Sequence, residues 1–183
     1  IYGASSIIGG GEYNTVSGNR SFIGGGFKNK ICTNGNYSSI VGGSGNTVSE
    51  CFSFIGGGCV NKVIGSGSAV VGGSKNCTCS CNSVIGGGYC NNVLGYTSNI
   101  GGGGKNTVFL GTGKNTTTYS TIGGGSGNII CGNTLWGTIG GGSTNKTSNC
   151  GSTVGGGSGN ITYGSSNFIG GGTTNYTNGS ASS

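Results

Sequence analysis

Nine cysteines are the most reactive side chains in this 183-residue chain, and little else in it could do chemistry. It has no His and no Asp, and its acidic residues are just Glu12 and Glu50. An activated nucleophile needs a relaying base beside it, so neither a Ser-His-Asp nor a Cys-His arrangement can be assembled. The two glutamates stand too far apart to pair as acid and base. No catalytic residue and no cofactor are therefore expected. Cys77, Cys79 and Cys81 form a Cys-x-Cys-x-Cys run that could be read as a metal cluster, but no His completes a ligand set and no metal site is assigned.

The elements that must position these thiols follow from an internal repeat. Ile-Gly-Gly-Gly-x-x-Asn, with variants, recurs twelve times and ends at Asn14, Asn29, Asn46, Asn61, Asn76, Asn91, Asn106, Asn115, Asn128, Asn145, Asn160 and Asn175. Seven spacings are 15 residues and two are 17, while 9 and 13 flank Asn115 and mark an irregular turn near 107–121. A period of this size signals a solenoid. The 48 glycines argue in the same direction, being far above the ~7% of an ordinary globular core. Helix is excluded, because a Gly triplet per repeat would cost roughly 3 kcal/mol in one.

Counted from the Asn, the constrained residues are Ser eight before, Ile six before, Gly four before, Val two after and Gly four after. All are even steps, which in extended chain share one face. The expectation is two short strands per turn, stacked like over like, in an all-β parallel β-solenoid of about twelve turns. The odd period needs one bulge or corner per turn, placed at the later Gly. Inward Asn side chains should form an amide ladder through Asn14, Asn29, Asn46, Asn61, Asn76, Asn91, Asn106, Asn128, Asn145, Asn160 and Asn175. The array is expected to run over 1–183 as one domain and an excerpt of something longer, since Ile1 and Gly3 already fit a preceding turn and Ser182 a following one.

Outward positions carry the rest. Ile7, Phe22, Phe54, Val84 and Phe168 lie seven residues before their Asn and make an apolar stripe, a candidate oligomer interface; scattered exposed residues on a monomer are the alternative. Cys32/Cys51 and Cys131/Cys150 each span a 17-residue repeat and are disulfide candidates across adjacent turns, with Cys77/Cys90 as a third pair. Thiols in a reducing compartment are the competing reading. An odd count leaves one Cys over. Lysines flank the Asn corner, and the net charge is +6. Such a cationic edge suits solubility, blocked sideways strand pairing or anionic surfaces. One Arg and no aromatic-basic platform argue against nucleic acid. No apolar run is long enough to insert in a membrane. Of the Asn-x-Ser/Thr sequons, Asn19, Asn36 and Asn178 fall outside the ladder and are the glycosylation candidates.

The Ser-x-Ile-Gly…Gly period resembles the head repeats of trimeric autotransporter adhesins, and Ile-Gly-Gly-Gly-x-x-Asn resembles the repeat arrays of fibre-like proteins of aquatic viruses. The resemblance covers nearly the whole chain. It implies left-handed parallel β-rolls packed as homotrimers, possible end-to-end association, and an extracellular or virion-surface location. The Gly triplet and the Asn anchor depart from the autotransporter pattern. The leading expectation is a structural fibre segment. An adhesin that binds host glycans through Tyr13, Tyr89, Tyr96 or Trp136 is the first alternative. An ice-binding solenoid is the second, although Thr is scattered across columns. The 42–46 segment, Gly-Gly-Ser-Gly-Asn, is similar to a calcium nonapeptide repeat, but its period and its uncharged Asn do not suit calcium.

Overall fold

A computed structural model describes residues 1–110, 118–131 and 134–180. The chain is all-β among these residues, a parallel β-solenoid of about eleven turns built from two-residue strands. It forms two compact units, Ile1–Cys90 and Asn91–Ser183.

In the first unit one parallel sheet stacks Ile7–Ile8, Phe22–Ile23, Ser39–Ile40, Phe54–Ile55, Ala69–Val70 and Val84–Ile85. The other stacks Thr15–Val16, Lys30–Ile31, Thr47–Val48, Lys62–Val63 and Cys77–Thr78. Register is strict: Ile8 pairs with Ile23 and Val16 with Ile31. The second unit repeats the plan from Asn99–Ile100 to Phe168–Ile169 and from Asn92–Val93 to Tyr176–Thr177. The inward residue of each strand is aliphatic in most turns, and Val16, Ile23, Ile31, Ile40, Val48 and Ile55 are fully buried. Each contributes roughly 1.5–3 kcal/mol by leaving water.

At the later Gly, Ile64 and Gly65 both donate their N–H to the Thr78 carbonyl, at 2.8 and 3.3 Å, while Val63 stays paired with Thr78 and Ala69 with Val84, so neither turn carries an extra, bulged residue there. The extra residues of the first 17-residue repeat are absorbed as a short turn, Gly35 N–H to Cys32 carbonyl at 2.9 Å. Asn36 still stacks over Asn19, whose N–H donates to the Asn36 Oδ1 at 2.7 Å.

Two further corners per turn use left-handed backbone on ordinary residues. Arg20, Tyr37 and Phe52 have φ of 50, 56 and 56°, and Lys28, Val60 and Lys75 have φ of 54, 56 and 57°. The reason lies in hydrogen-bond direction. Strand N–H groups donate forward, as Thr47 does to Asn61 at 2.9 Å, whereas Tyr37 donates back to Asn19 and Lys75 back to Cys59, both at 3.0 Å. The left-handed peptide reverses the donor and ties each turn to both neighbours, at about 1–2 kcal/mol of backbone strain per corner.

Among the described residues each sheet has eleven strands, where twelve turns were expected. Asn99 pairs directly with Thr121 and Thr107 with Ile129, a step of 22 residues that bypasses the copy at Asn115. Asn115 and Ser182 lie outside the described residues. In sequence that copy has Thr112 where every other copy has the third Gly of its triplet. At the equivalent Gly43, with φ +91°, an added Cβ would sit 2.2 Å from the Gly58 oxygen and 2.7 Å from the Asn46 amide nitrogen. The second Gly, present in all copies, is not constrained in this way. A Cβ at Gly42, Gly72 or Gly141 meets nothing within 4 Å, so this glycine is not the inward station that the even-step pattern suggests.

Candidate functional site

The interior carries two polar ladders. Asn61 shows the first. Its Nδ2 donates to the Gly57 carbonyl of its own turn and to Gly73 of the next, both at 2.9 Å. Its Oδ1 accepts the backbone N–H of Asn76 at 3.0 Å. The same three bonds recur at Asn14, Asn29, Asn46, Asn106, Asn128, Asn145 and Asn160. Asn76 donates to Gly72 and Gly88, and Asn91 donates to Gly103 while its Oδ1 accepts from Asn106. The ladder therefore runs amide to backbone rather than amide to amide; Asn76 Nδ2 to Asn61 Oδ1, at 3.2 Å, is a side-chain link of the latter kind. Most of these Asn are fully buried, whereas Asn14 is half-buried and Asn175, in the last described turn, is exposed.

The second ladder belongs to the Ser eight residues before the Asn. Ser53 Oγ donates to the Gly65 carbonyl of the next turn at 3.1 Å, as Ser68 does to Ser80 at 2.8 Å and Ser152 does to Gly164 at 2.6 Å. Ser38 Oγ takes the Ser53 N–H at 3.0 Å, and Ser68 Oγ takes that of Ser83 at 3.0 Å. The Ser periodicity was the available signal for this ladder.

The outward face is uneven. In the first unit Ile7, Phe22, Phe54 and Val84 are 59, 40, 38 and 38% exposed, with Val41 and Val71 alongside at 51 and 55%. By register their column reads Ile7, Phe22, Ser39, Phe54, Ala69 and Val84, with Val41 and Val71 on the turns of Ser39 and Ala69. In the second unit the same column reads Asn99, Thr121, Thr138, Thr153 and Phe168, so Phe168, 52% exposed, stands apart from other apolar members.

Aromatic side chains gather at the corners instead. Tyr37 and Phe52 stack with ring centroids 5.2 Å apart and an interplanar angle of 9°, and Arg20 lies over Tyr37 at 5.3 Å and donates to its hydroxyl. Lys28 and Lys75 sit over Phe27 and Tyr89 at 4.9 and 5.5 Å. Tyr13, Tyr89, Tyr96 and Trp136 are all exposed.

All nine cysteines carry thiols, and the expected disulfides Cys32–Cys51, Cys131–Cys150 and Cys77–Cys90 are not formed. Backbone register gives the reason. It sets Cys32 against Ser49 and Cys131 against Ser148 on the following turn. Cys51 and Cys150 each stand two residues beyond those serines, at the next corner. There the Cys51 carbonyl accepts the Gly67 N–H at 3.0 Å, and the Cys150 carbonyl accepts the Ser166 N–H at 2.8 Å. The Cys51 thiol lies beside Ser66, with Sγ and Oγ 3.2 Å apart. Spanning a 17-residue repeat therefore leaves each pair two residues out of step. Cys90 lies at the corner behind Lys75, on another face from Cys77. The thiols that the fold brings together are instead Cys77 and Cys79, whose sulfurs are 2.8 Å apart. No group of three or more His, Cys, Asp or Glu side chains gathers to hold a metal ion among the described residues. No helix among them is long and apolar enough to cross a membrane.

Of the sequons, Asn19 and Asn178 are exposed and Asn36 is half-buried. Asn19 Oδ1 accepts the Ala4 N–H at 2.8 Å, as Asn36 accepts from Asn19. Compared with protein-family models and with curated proteins, the chain matches none.

Proposed function

We propose that this chain is a structural stretch of an extracellular or virion-surface fibre, whose solenoids self-associate along the outward apolar column of the first unit. One observation carries the reading. The inward Asn and Ser side chains are bonded turn by turn, yet Ile7, Phe22, Val41, Phe54, Val71 and Val84 remain in water on one sheet face. Exposed apolar residues gathered on one face, interrupted in their column by Ser39 alone among polar residues, mark an interaction surface. The finer reading is a homotrimer of left-handed solenoids, with end-to-end stacking as a second contact, and it rests on the resemblance of the repeat. The reading needs no catalytic group and no cofactor, which suits a chain lacking His and Asp.

The test is light scattering on the purified chain with and without reductant. The expected mass is three times the 17.6 kDa of one chain. Phe22→Ser with Phe54→Ser should reduce it to one. A wild-type monomer at tens of micromolar would overturn the proposal.

The stacked Tyr37–Phe52 pair under Arg20 favours a second reading, an adhesin that packs sugar rings on exposed aromatics. Glycan binding that Tyr37→Ala abolishes without changing the mass would support it. An ice-binding face would need a regular outward Thr array, and here Thr121, Thr138 and Thr153 span three turns.

A further inference from the structure

We infer that Cys77 and Cys79 form a reversible dithiol–disulfide site on the outward face of the second sheet, one that reacts with low-molecular-weight disulfides. The pair sits where the pattern of the strand requires. Thr78 points inward and is fully buried, so the residues on either side of it project outward together. Their sulfurs are 2.8 Å apart, and both side chains are half-buried, hence reachable from solvent.

That separation selects the chemistry. A disulfide needs about 2.05 Å. Two thiolates on a tetrahedral metal at ~2.3 Å each must stand ~3.8 Å apart. The observed distance lies nearer the covalent bond, and no third ligand gathers at the pair. Cys81 is carried away to the next corner, in the column of Ser66.

The neighbourhood also supplies a nucleophile. Lys62 pairs in register with Cys77 on the preceding turn. The Cys79 thiol is lowered to about 7, first by the hydrogen bond from Cys77 and further by the Lys62 ammonium, against the burial that raises it. Cys77 is pushed well up by the bond it makes to Cys79, and next by burial. One proton is therefore shared by the pair, with Cys79 as the attacking thiolate.

The exchange balances in two steps. Cys79 thiolate attacks one sulfur of the small disulfide, forming a mixed disulfide and expelling the first thiolate. Cys77 then gives up its proton and attacks the Cys79 sulfur. The Cys77–Cys79 bond forms and the second thiolate leaves. Starting from the pair that shares one proton, the protein loses two electrons and that proton, and the small disulfide leaves as two thiolates, which take up that proton and a second one from solvent to become thiols.

The site is independent of the fibre reading, and its test is separate. The full chain carrying Cys81→Ser and Cys90→Ser has only Cys77 and Cys79 in the tryptic peptide between Lys75 and Lys105. It is equilibrated in glutathione/glutathione-disulfide buffers, acid-quenched, alkylated and digested. The expected oxidised peptide is lighter by two hydrogens and carries no alkyl group, and after reduction it carries two. Should that variant fold poorly, the unsubstituted chain is cut additionally after Tyr89. The peptide from Asn76 to Tyr89 should then lose two hydrogens and bear one alkyl group, on Cys81. Two alkyl groups on Cys77 and Cys79 in oxidising buffer, separate glutathione adducts on each, or a cross-link from either to another cysteine would overturn the inference.

Discussion

Replacing Asn61 by Ala removes a clasp rather than a contact. The side chain gives two hydrogen bonds, to the Gly57 and Gly73 carbonyls at 2.9 Å, and accepts the Asn76 N–H at 3.0 Å. At about 1 kcal/mol net per bond, the two donated bonds amount to roughly 2 kcal/mol. Asn76 is fully buried, so losing the acceptor of its N–H costs about 1–3 kcal/mol. The expected loss is therefore roughly 3–5 kcal/mol, a large part of the ~5–15 kcal/mol that a domain possesses. Asn175→Ala is the internal control. Asn175 is exposed, and its amide donates to Gly171 at 2.9 Å. Its removal should cost about 1 kcal/mol or less. Urea unfolding of the 183-residue chain, followed by far-ultraviolet circular dichroism, measures both. Equal losses at the two positions, or a loss at Asn61 below about 1.5 kcal/mol, would refute the claim that the clasp holds successive turns together.

Three further outcomes follow from particular residues. Thr147 and Thr162 occupy inward positions filled by Val or Ile elsewhere, are fully buried, and have hydroxyls without a partner; Thr147→Val and Thr162→Val should each raise the urea midpoint, by about 1–3 kcal/mol in stability. Val60 is β-branched at φ 56°, in a corner column where Gly45 also stands, so Val60→Asn should stabilise by about 1 kcal/mol in the same assay. Cys79 should be alkylated by iodoacetamide with a rate that rises with pH through about 7, because the thiolate is the reactive form. Lys62→Gln should move that midpoint upward, and an unchanged profile would exclude the ammonium as a cause.

Much of this architecture can be read from residue types alone, because a coil with like over like forces side chains to recur. Ile and Val at their even steps mark the two sheets, and the Asn marks the corner between them. Parity then demands a bulge or a corner, and the left-handed residues two places after the later Gly position, such as Arg20 and Phe52, are corners of this kind. What escaped such reading lies in the backbone. Asn115 fits the periodic pattern, yet the stacking passes from Asn106 to Asn128, and in sequence that copy has Thr112 in a triplet that counting treats as a block. The most regular glycine borders open space, while its neighbour bears the steric constraint, and only φ and inter-turn distances separate them. The thiols show the same limit. Pairing Cys32 with Cys51, or Cys131 with Cys150, follows from counting along the chain, but register faces Cys32 and Cys131 with serines and carries Cys51 and Cys150 on to the corner. Cys77 and Cys79 meet because a strand projects alternate residues together.

The Asn and Ser ladders that join one coil to the next are addressed mainly to main-chain atoms, which all cassettes possess. Any cassette can thus succeed any other without a matching partner having to evolve, and the detour between Asn106 and Asn128 shows that an irregular insert leaves the stacking uninterrupted. Duplication or deletion of whole cassettes would change reach in uniform steps. Length in such a polymer becomes a heritable dial, separable from whatever the flanks display.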